Sequence, residues 1–346
     1  MIFSARCRAA VCGTLHALLL LSATPANPQT TASSADVIFD TDIGNDIDDA
    51  LALAILHALQ SRHQARILAV TITKDNPLAA PFIDAIDTFY DRADIPIGAV
   101  VKGKTPEASD YLKAVVGARK GNGSVVYPHR LKDGRQATEA VSLLRQTLSR
   151  RPDGSVTIIQ VGFSTNMARL LEKDRDLVAR KVKLLVLMGG NFTGGPIEYN
   201  IQKDIPAAQA LFRHWPTAIV ASGYEVGDTI KYPADSILRD YAYVDRHPIA
   251  EAYRHYKKMP YDRSTWDLTA AFYAVRPNRG YFSLSPPGTI HVDDKGRTSF
   301  KPTADGRHRY LIVDDKQRAR IAEAFVELSS QPPDDIRKRA PANQAP

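Results

Sequence analysis

The chain has 346 residues, 44% apolar and 24% charged, which allows one large core or two medium ones and is ordinary for a soluble globular protein. Its formal charge of +7 comes from scattered Lys and Arg, with no dense basic run and no interleaved aromatics, and this argues against nucleic-acid binding.

The first segment has Arg6 and Arg8, an apolar run Ala9–Leu21, and small residues from Ala23 to Ala26. That layout is expected to be a signal peptide over 1–26, followed by export to a periplasm or the medium. The run is short for a membrane span, so no membrane anchor is expected after processing. Cys7 and Cys12 both lie in this segment, so a processed chain would have no disulfide, thiolate nucleophile or zinc–cysteine site. Loss of Arg6 and Arg8 would take the charge from +7 to +5.

Val37–Phe39 then reads as a strand and Asp49–Leu59 as a helix, with Leu51, Ile55 and Leu59 recurring every fourth residue. Arg66–Thr73 is a strand, Ala80–Tyr90 a helix and Ile95–Val101 a strand. Gly103–Arg135 is polar and Gly-rich and is expected to be a flap. A helix over Ala137–Arg150 ends in the turn Pro152-Asp153-Gly154. Next come strand Val156–Val161, a helix from Asn166, strand Val182–Met188, a helix near Ala207 and strand Ala218–Ser222. Near-continuous apolar strands separated by helices imply an α/β fold: an open, mostly parallel, Rossmann-like sheet flanked by helices. The C-terminal part reads as mainly helical, with a hairpin over His291–Phe300, a strand Tyr310–Val313 and a helix Lys316–Ser329. A single domain over 27–335 and a disordered tail over 336–346 are expected.

The densest chemistry lies at the first strand end, where Asp40 to Asp49 includes five aspartates. Helix capping by Asn45 or Asp46, with Asp48 and Asp49 in the first turn, explains part of it. It leaves Asp40 and Asp42 crowded with like charge, an objection that a hard divalent cation removes, and Ca²⁺ suits a flexible loop of oxygen donors. The spacing is not that of an EF-hand loop. Nor does the Thr or Gly-Thr usual in haloacid-dehalogenase phosphotransferases follow the second Asp; Ile43-Gly44 stands there instead.

The run Asp40-Thr41-Asp42-Ile43-Gly44-Asn45-Asp46-Ile47-Asp48-Asp49-Ala50 resembles the D-x-D-x-G-x-D-D-A signature of the inosine–uridine nucleoside hydrolase family, with two extra residues before the Asp48-Asp49 pair. Further pieces follow in that family's order. VTITKDN (Val70–Asn76) is similar to its second-strand motif and VGFSTN (Val161–Asn166) to its T-G-P-L-T-N loop. LVLMGGN (Leu185–Asn191) with EYN (Glu198–Asn200) is similar to its M-G-G…E-F-N segment. WDLTA (Trp266–Ala270) stands where the family has H-D-A.

The resemblance implies hydrolysis of the N-glycosidic bond of a small-molecule ribonucleoside, with Ca²⁺ as cofactor. Asp42 would be a ligand and the base for the attacking water. Asp49, the Val161 carbonyl and Asp267 would be the other ligands. Asp48 would meet the 2′-hydroxyl, Asn200 the 3′-hydroxyl, and Glu198 the 5′-hydroxyl with Asn191 as companion. Asn76 would sit beside metal and sugar. Asp40 would orient its neighbours, Asp46 would cap the helix, and Asn166 would cap the next one. Trp266 replaces a general-acid histidine; it is expected to stack on a purine, with Tyr253, Tyr256 or Tyr261 adding to the stack. His129, His247 and His255 are the remaining candidate acids. A ribosyl-binding protein without turnover, a hydrolase of another ribosyl compound, and a homo-oligomer all stay open.

Overall fold

A computed structural model describes residues 1–3 and 34–339. The expected signal peptide and the end of the tail therefore fall mostly outside the described residues. Residues 34–339 belong to one compact unit.

The apolar stretch after Ser34 becomes β1 (Ala35–Thr41), and the Leu/Ala/Ile-rich run becomes α1 (Asp48–Ser61). Buried from Asp48 through Leu59, α1 lies between the sheet and later helices. Then come β2 (Ala65–Lys74), α2 (Ala79–Phe89) and β3 (Ile97–Lys104). The expected flap is more structured than its composition implied. It contains α3 (Asp110–Gly117), which buries Tyr111, Leu112, Val115 and Val116 in the core. The polar residues around α3 face outward and dilute the apolar signal of its one buried stripe.

The next units are β4 (Thr138–Glu139), α4 (Ala140–Ser149), β5 (Val156–Gln160), α5 (Thr165–Lys181) and β6 (Val182–Met188). They are followed by α6 (Tyr199–Lys203), α7 (Ile205–His214), β7 (Ala218–Ser222) and α8 (Tyr224–Asp228). After these come β8 (Lys231–Tyr232), α9 (Ala234–Arg239), α10 (Pro248–Tyr256), β9 (Arg263–Ser264) and α11 (Trp266–Val275). The chain closes with β10 (Ser283–Leu284), the hairpin β11 (Gly288–Val292) and β12 (Thr298–Pro302), β13 (His308–Ile312), and α12 (Asp315–Ser329). Helix α13 (Asp334–Arg339) begins at the end of the expected domain and runs into the expected tail. Acidic residues at its start and basic ones at its end oppose the helix dipole, and Arg337 pairs with Asp334.

Eleven strands form one sheet in the order β12-β11-β13-β7-β6-β5-β1-β2-β3-β4, with β10 on β13. From β7 to β4 every neighbouring pair is parallel, as the apolar strands predicted; β10, β11 and β12 add the antiparallel pairs. The chain runs from β1 outward through β2, β3 and β4, then returns to place β5 on the other side of β1. That reversal opens a crevice beyond the carboxyl ends of β1 and β5, the position where open α/β sheets bind ligands.

Candidate active site

A cavity of about 640 Å³ occupies that crevice. Asp42, Asp46, Asp48 and Asp49 enter it from the β1–α1 turn, Val161 from the end of β5, and Glu198 and Asn200 from the start of α6. Trp266 and Asp267 enter from the first turn of α11. Two glycines let these segments meet. Gly44 has φ +112°, which a side chain would strain, and a Cβ there would press on Leu112 and Lys74. A Cβ on Gly162 would lie 2.6 Å from the backbone nitrogen of Asp42, so only glycine lets the β5 loop close on the end of β1.

Oxygen atoms of Asp48, Asp49 and Asp267 lie within 4.8 Å of one another, all three residues buried. The backbone N–H of Asp267 donates to Oδ2 of Asp48 at 3.1 Å, joining residues 219 apart. Thr41 Oγ1 donates to Asp49. Asp42 turns Oδ2 to the Asn45 amide at 2.8 Å. Burial holds the carboxyls of Asp48, Asp49 and Asp267 well above the usual range, and repulsion from neighbouring aspartates, Asp42 and Asp46 among them, adds to it. Burial also raises Asp42 to about 6, against the opposing pull of the Asn45 hydrogen bond and the Lys74 charge.

Seven carboxylates line the cavity (Asp42, Asp46, Asp48, Asp49, Glu107, Glu198, Asp267) against two cations, Lys74 and Arg263, an excess of five. Five of them (Asp42, Asp48, Asp49, Glu198 and Asp267) are buried, and so much buried charge of one sign is costly unless a cation joins it. Oxygen donors of this hardness fit one: Asp48, Asp49 and Asp267 are grouped, with Asp42 and the Val161 carbonyl on the same lining. That carbonyl accepts the Asn200 amide at 2.7 Å.

Residues 37–329 match the family model of the inosine-uridine preferring nucleoside hydrolases. The chain belongs to that family. It is 28% identical over 191 residues to the inosine-uridine preferring nucleoside hydrolase of Crithidia fasciculata, a stretch covering 53% of this chain and 59% of that one. It is 32% identical over 191 residues to the pyrimidine-specific ribonucleoside hydrolase RihA of a Shewanella strain, covering 52% and 56%. The matched stretch is thus under two thirds of either relative. The purine-preferring ribonucleoside hydrolase from Gardnerella vaginalis shares the fold, with a TM-score of 0.68 over 88% of this chain and 100% of that one at 18% identity.

Within this nucleoside hydrolase fold, several residues stand elsewhere than the motifs implied. Asn76 does not line the cavity: its amide donates to the carbonyls of Pro106 and Glu107 at 2.9 and 3.1 Å, and its Oδ1 accepts from Leu78 N–H at 2.9 Å. It ties down the segment that carries Glu107. Asn191 is likewise off the lining; it braces its own loop through Thr193, Gly195 and Pro196. Glu198 lines the cavity and also caps α6 by accepting from the N–H groups of Asn200 at 2.7 Å and Ile201 at 3.0 Å; burial pushes it up to about 7.

Asp46 is not the N-cap of α1, which is Ile47, but its Oδ1 accepts from the Ile47 N–H at 2.6 Å at the start of that helix; both its oxygens also accept from Arg263. Asn166 is no cap either. It reaches inward from the first turn of α5 to donate to Oδ1 of Asp40 at 2.8 Å. Asp40 also accepts from Thr71 at 2.6 Å, lies behind the cavity wall, and is raised to about 7 by burial.

Trp266, expected to stack on a purine, lines the cavity with Arg263 over its ring, Cζ 5.0 Å from the centroid, and its indole N–H donates to the Tyr224 carbonyl at 3.0 Å. Tyr256 lines the cavity, whereas Tyr253 and Tyr261 stack on each other away from it. His129, His247 and His255 are not on the lining; His247 is buried among aromatics and lowered to about 3.

Lys74 and Arg263 were not singled out from the sequence. Lys74 is 1% exposed and donates to Asn45 Oδ1 and to the Thr105 carbonyl, both at 2.8 Å. A lysine closing the otherwise apolar strand VTIT was the available signal. Arg263 gave none.

Proposed function

We propose that the protein hydrolyses the N-glycosidic bond of ribonucleosides, releasing free base and ribose, and that it requires a divalent cation, Ca²⁺ by the hardness of its donors. The observation that carries this reading is the excess of five carboxylates in a cavity at the β1/β5 reversal. Asp42, Asp49, Asp267 and the Val161 carbonyl would hold the cation, whose bound charge would offset the carboxylates and make nearby water more acidic. Asp42 accepts the proton of the attacking water as its oxygen bonds to C1′. Asp48 and Asn200 hold the ribose diol, and Glu198 the 5′-hydroxyl. Asn76 and Asn191 are left out of this set, since neither lines the cavity.

The test is reducing-sugar release from purine and pyrimidine nucleosides, with Ca²⁺ and with chelator, for wild type and Asp42→Ala. Release that is lost with chelator and lost in the variant supports the proposal. Nucleoside binding without release points instead to a binding protein. Export belongs to the same proposal, supported by the Ala9–Leu21 run, and amino-terminal sequencing of the secreted chain tests it.

A further inference from the structure

Arg263 sits in the cavity beside the aromatic residues rather than among the clustered carboxylates of Asp48, Asp49 and Asp267. Its Nε donates to Asp46 at 2.9 Å, and its Nη2 donates to Asp46 and, at 3.3 Å, to the Tyr256 hydroxyl. The Cζ lies 5.3 Å from the Tyr256 ring and 5.0 Å from that of Trp266. Nη1 has no acceptor among the described residues. The guanidinium is therefore fixed in plane and position by a carboxylate 217 residues away and two rings, with one end of its donor fork uncommitted. Asp46 belongs to the two-residue insertion that sets this β1–α1 turn apart from the family signature.

We propose that Arg263 stabilises the departing base, with Nη1 donating to an acceptor atom conjugated to the glycosidic nitrogen. This rests on the hydrolase reading above. As the C1′–N bond breaks, its electron pair passes to the base and spreads onto the atom facing Arg263. The water oxygen bonds to C1′ and its proton goes to Asp42. The base leaves as an anion and takes a proton from bulk water afterwards. A guanidinium keeps its own protons at working pH, so it acts by charge and hydrogen bonding and not as an acid. No histidine among the described residues lines the cavity to do otherwise. Trp266 and Asp46 are then positioning residues for Arg263.

The test compares wild type, R263M and R263K on inosine and uridine, whose bases leave poorly, and on p-nitrophenyl β-D-ribofuranoside, whose phenolate leaves unaided. The expected result is a loss of kcat/KM in R263M at least about 100-fold larger for the nucleosides than for the nitrophenyl riboside, with R263K in between. D46N should show the same skew more weakly. Turnover of the nitrophenyl riboside by R263M reports that its sugar site is folded. Equal losses on both substrate types, or no loss, overturn the assignment. Wild type active on the nitrophenyl riboside but inert on nucleosides overturns the leaving-group role while keeping sugar-site hydrolysis. Wild type inert on both overturns the proposed function, and the Arg263 assignment with it.

Discussion

The amide of Asn166 donates to Oδ1 of Asp40 at 2.8 Å, linking the first turn of α5 to the end of β1 across 126 residues, with both side chains fully buried. Asp40 Oδ2 has no partner, so this bond and the one from Thr71 are the side-chain hydrogen bonds holding the carboxyl. Asn166→Ala should cost about 1–3 kcal/mol, the price of an unsatisfied buried polar group. Asn166→Asp should cost more, because it sets two buried carboxyls against each other. Urea denaturation of both variants measures this, and a cost below about 0.5 kcal/mol for Asn166→Ala would contradict it.

Lys74 links the β1–α1 turn to the loop before α3 through Asn45 and Thr105, and its charge lowers the pKa of Asp42. Lys74→Met should move the acidic limb of the kcat/KM profile to higher pH, because a base without its neighbouring cation is protonated more readily. A fall in activity with an unmoved limb would leave Lys74 a purely mechanical role.

Burial raises Asp40 and Glu198 to about 7 and Asp42 to about 6. A carboxyl whose pKa is higher folded than unfolded binds more protons when folded. Its contribution to stability therefore declines as pH rises from the unfolded value of about 4 to the folded value. The chelator-treated protein should melt at a higher temperature at pH 5 than at pH 7.5, and added Ca²⁺ should raise the melting temperature more at pH 7.5. Thermal unfolding at the two pH values decides it; a chelated protein less stable at pH 5 goes against the claim.

Asn76 and Asn200 both end family-like motifs but do different work. Asn76→Ala should lower stability by about 1–2 kcal/mol through the freed Pro106–Glu107 loop, with a modest effect on kcat/KM. Asn200→Ala should cut kcat/KM far more if it holds the 3′-hydroxyl. Paired unfolding and kinetic measurements separate the two; a larger kinetic loss for Asn76→Ala would reverse the roles.

Most of the sheet was legible from the sequence. β6 and β7 fall at the residues the apolar runs marked, and β1, β2 and β5 within two of them, because a strand covered on both faces must be apolar along its length. The carboxylate cluster was legible too, since five aspartates in ten residues are hard to satisfy with a cap alone. Helix α3 was hidden because only one stripe of it is apolar. The orientations of Asn76, Asn166 and Asn191 were hidden for another reason. A motif fixes which residue ends a strand or loop, but the nearest backbone acceptors decide where its amide points.

The sequence by itself determined the alternating α/β order, the family, and the gathering of charge after β1, because periodicity and residue type act locally along the chain. Only the tertiary structure decided that Asp46 faces Arg263, that Arg263 covers Trp266, and that Lys74 enters the cavity. Those contacts join segments as much as 217 residues apart, and their geometry follows from how α11 packs against α1, which no local pattern records.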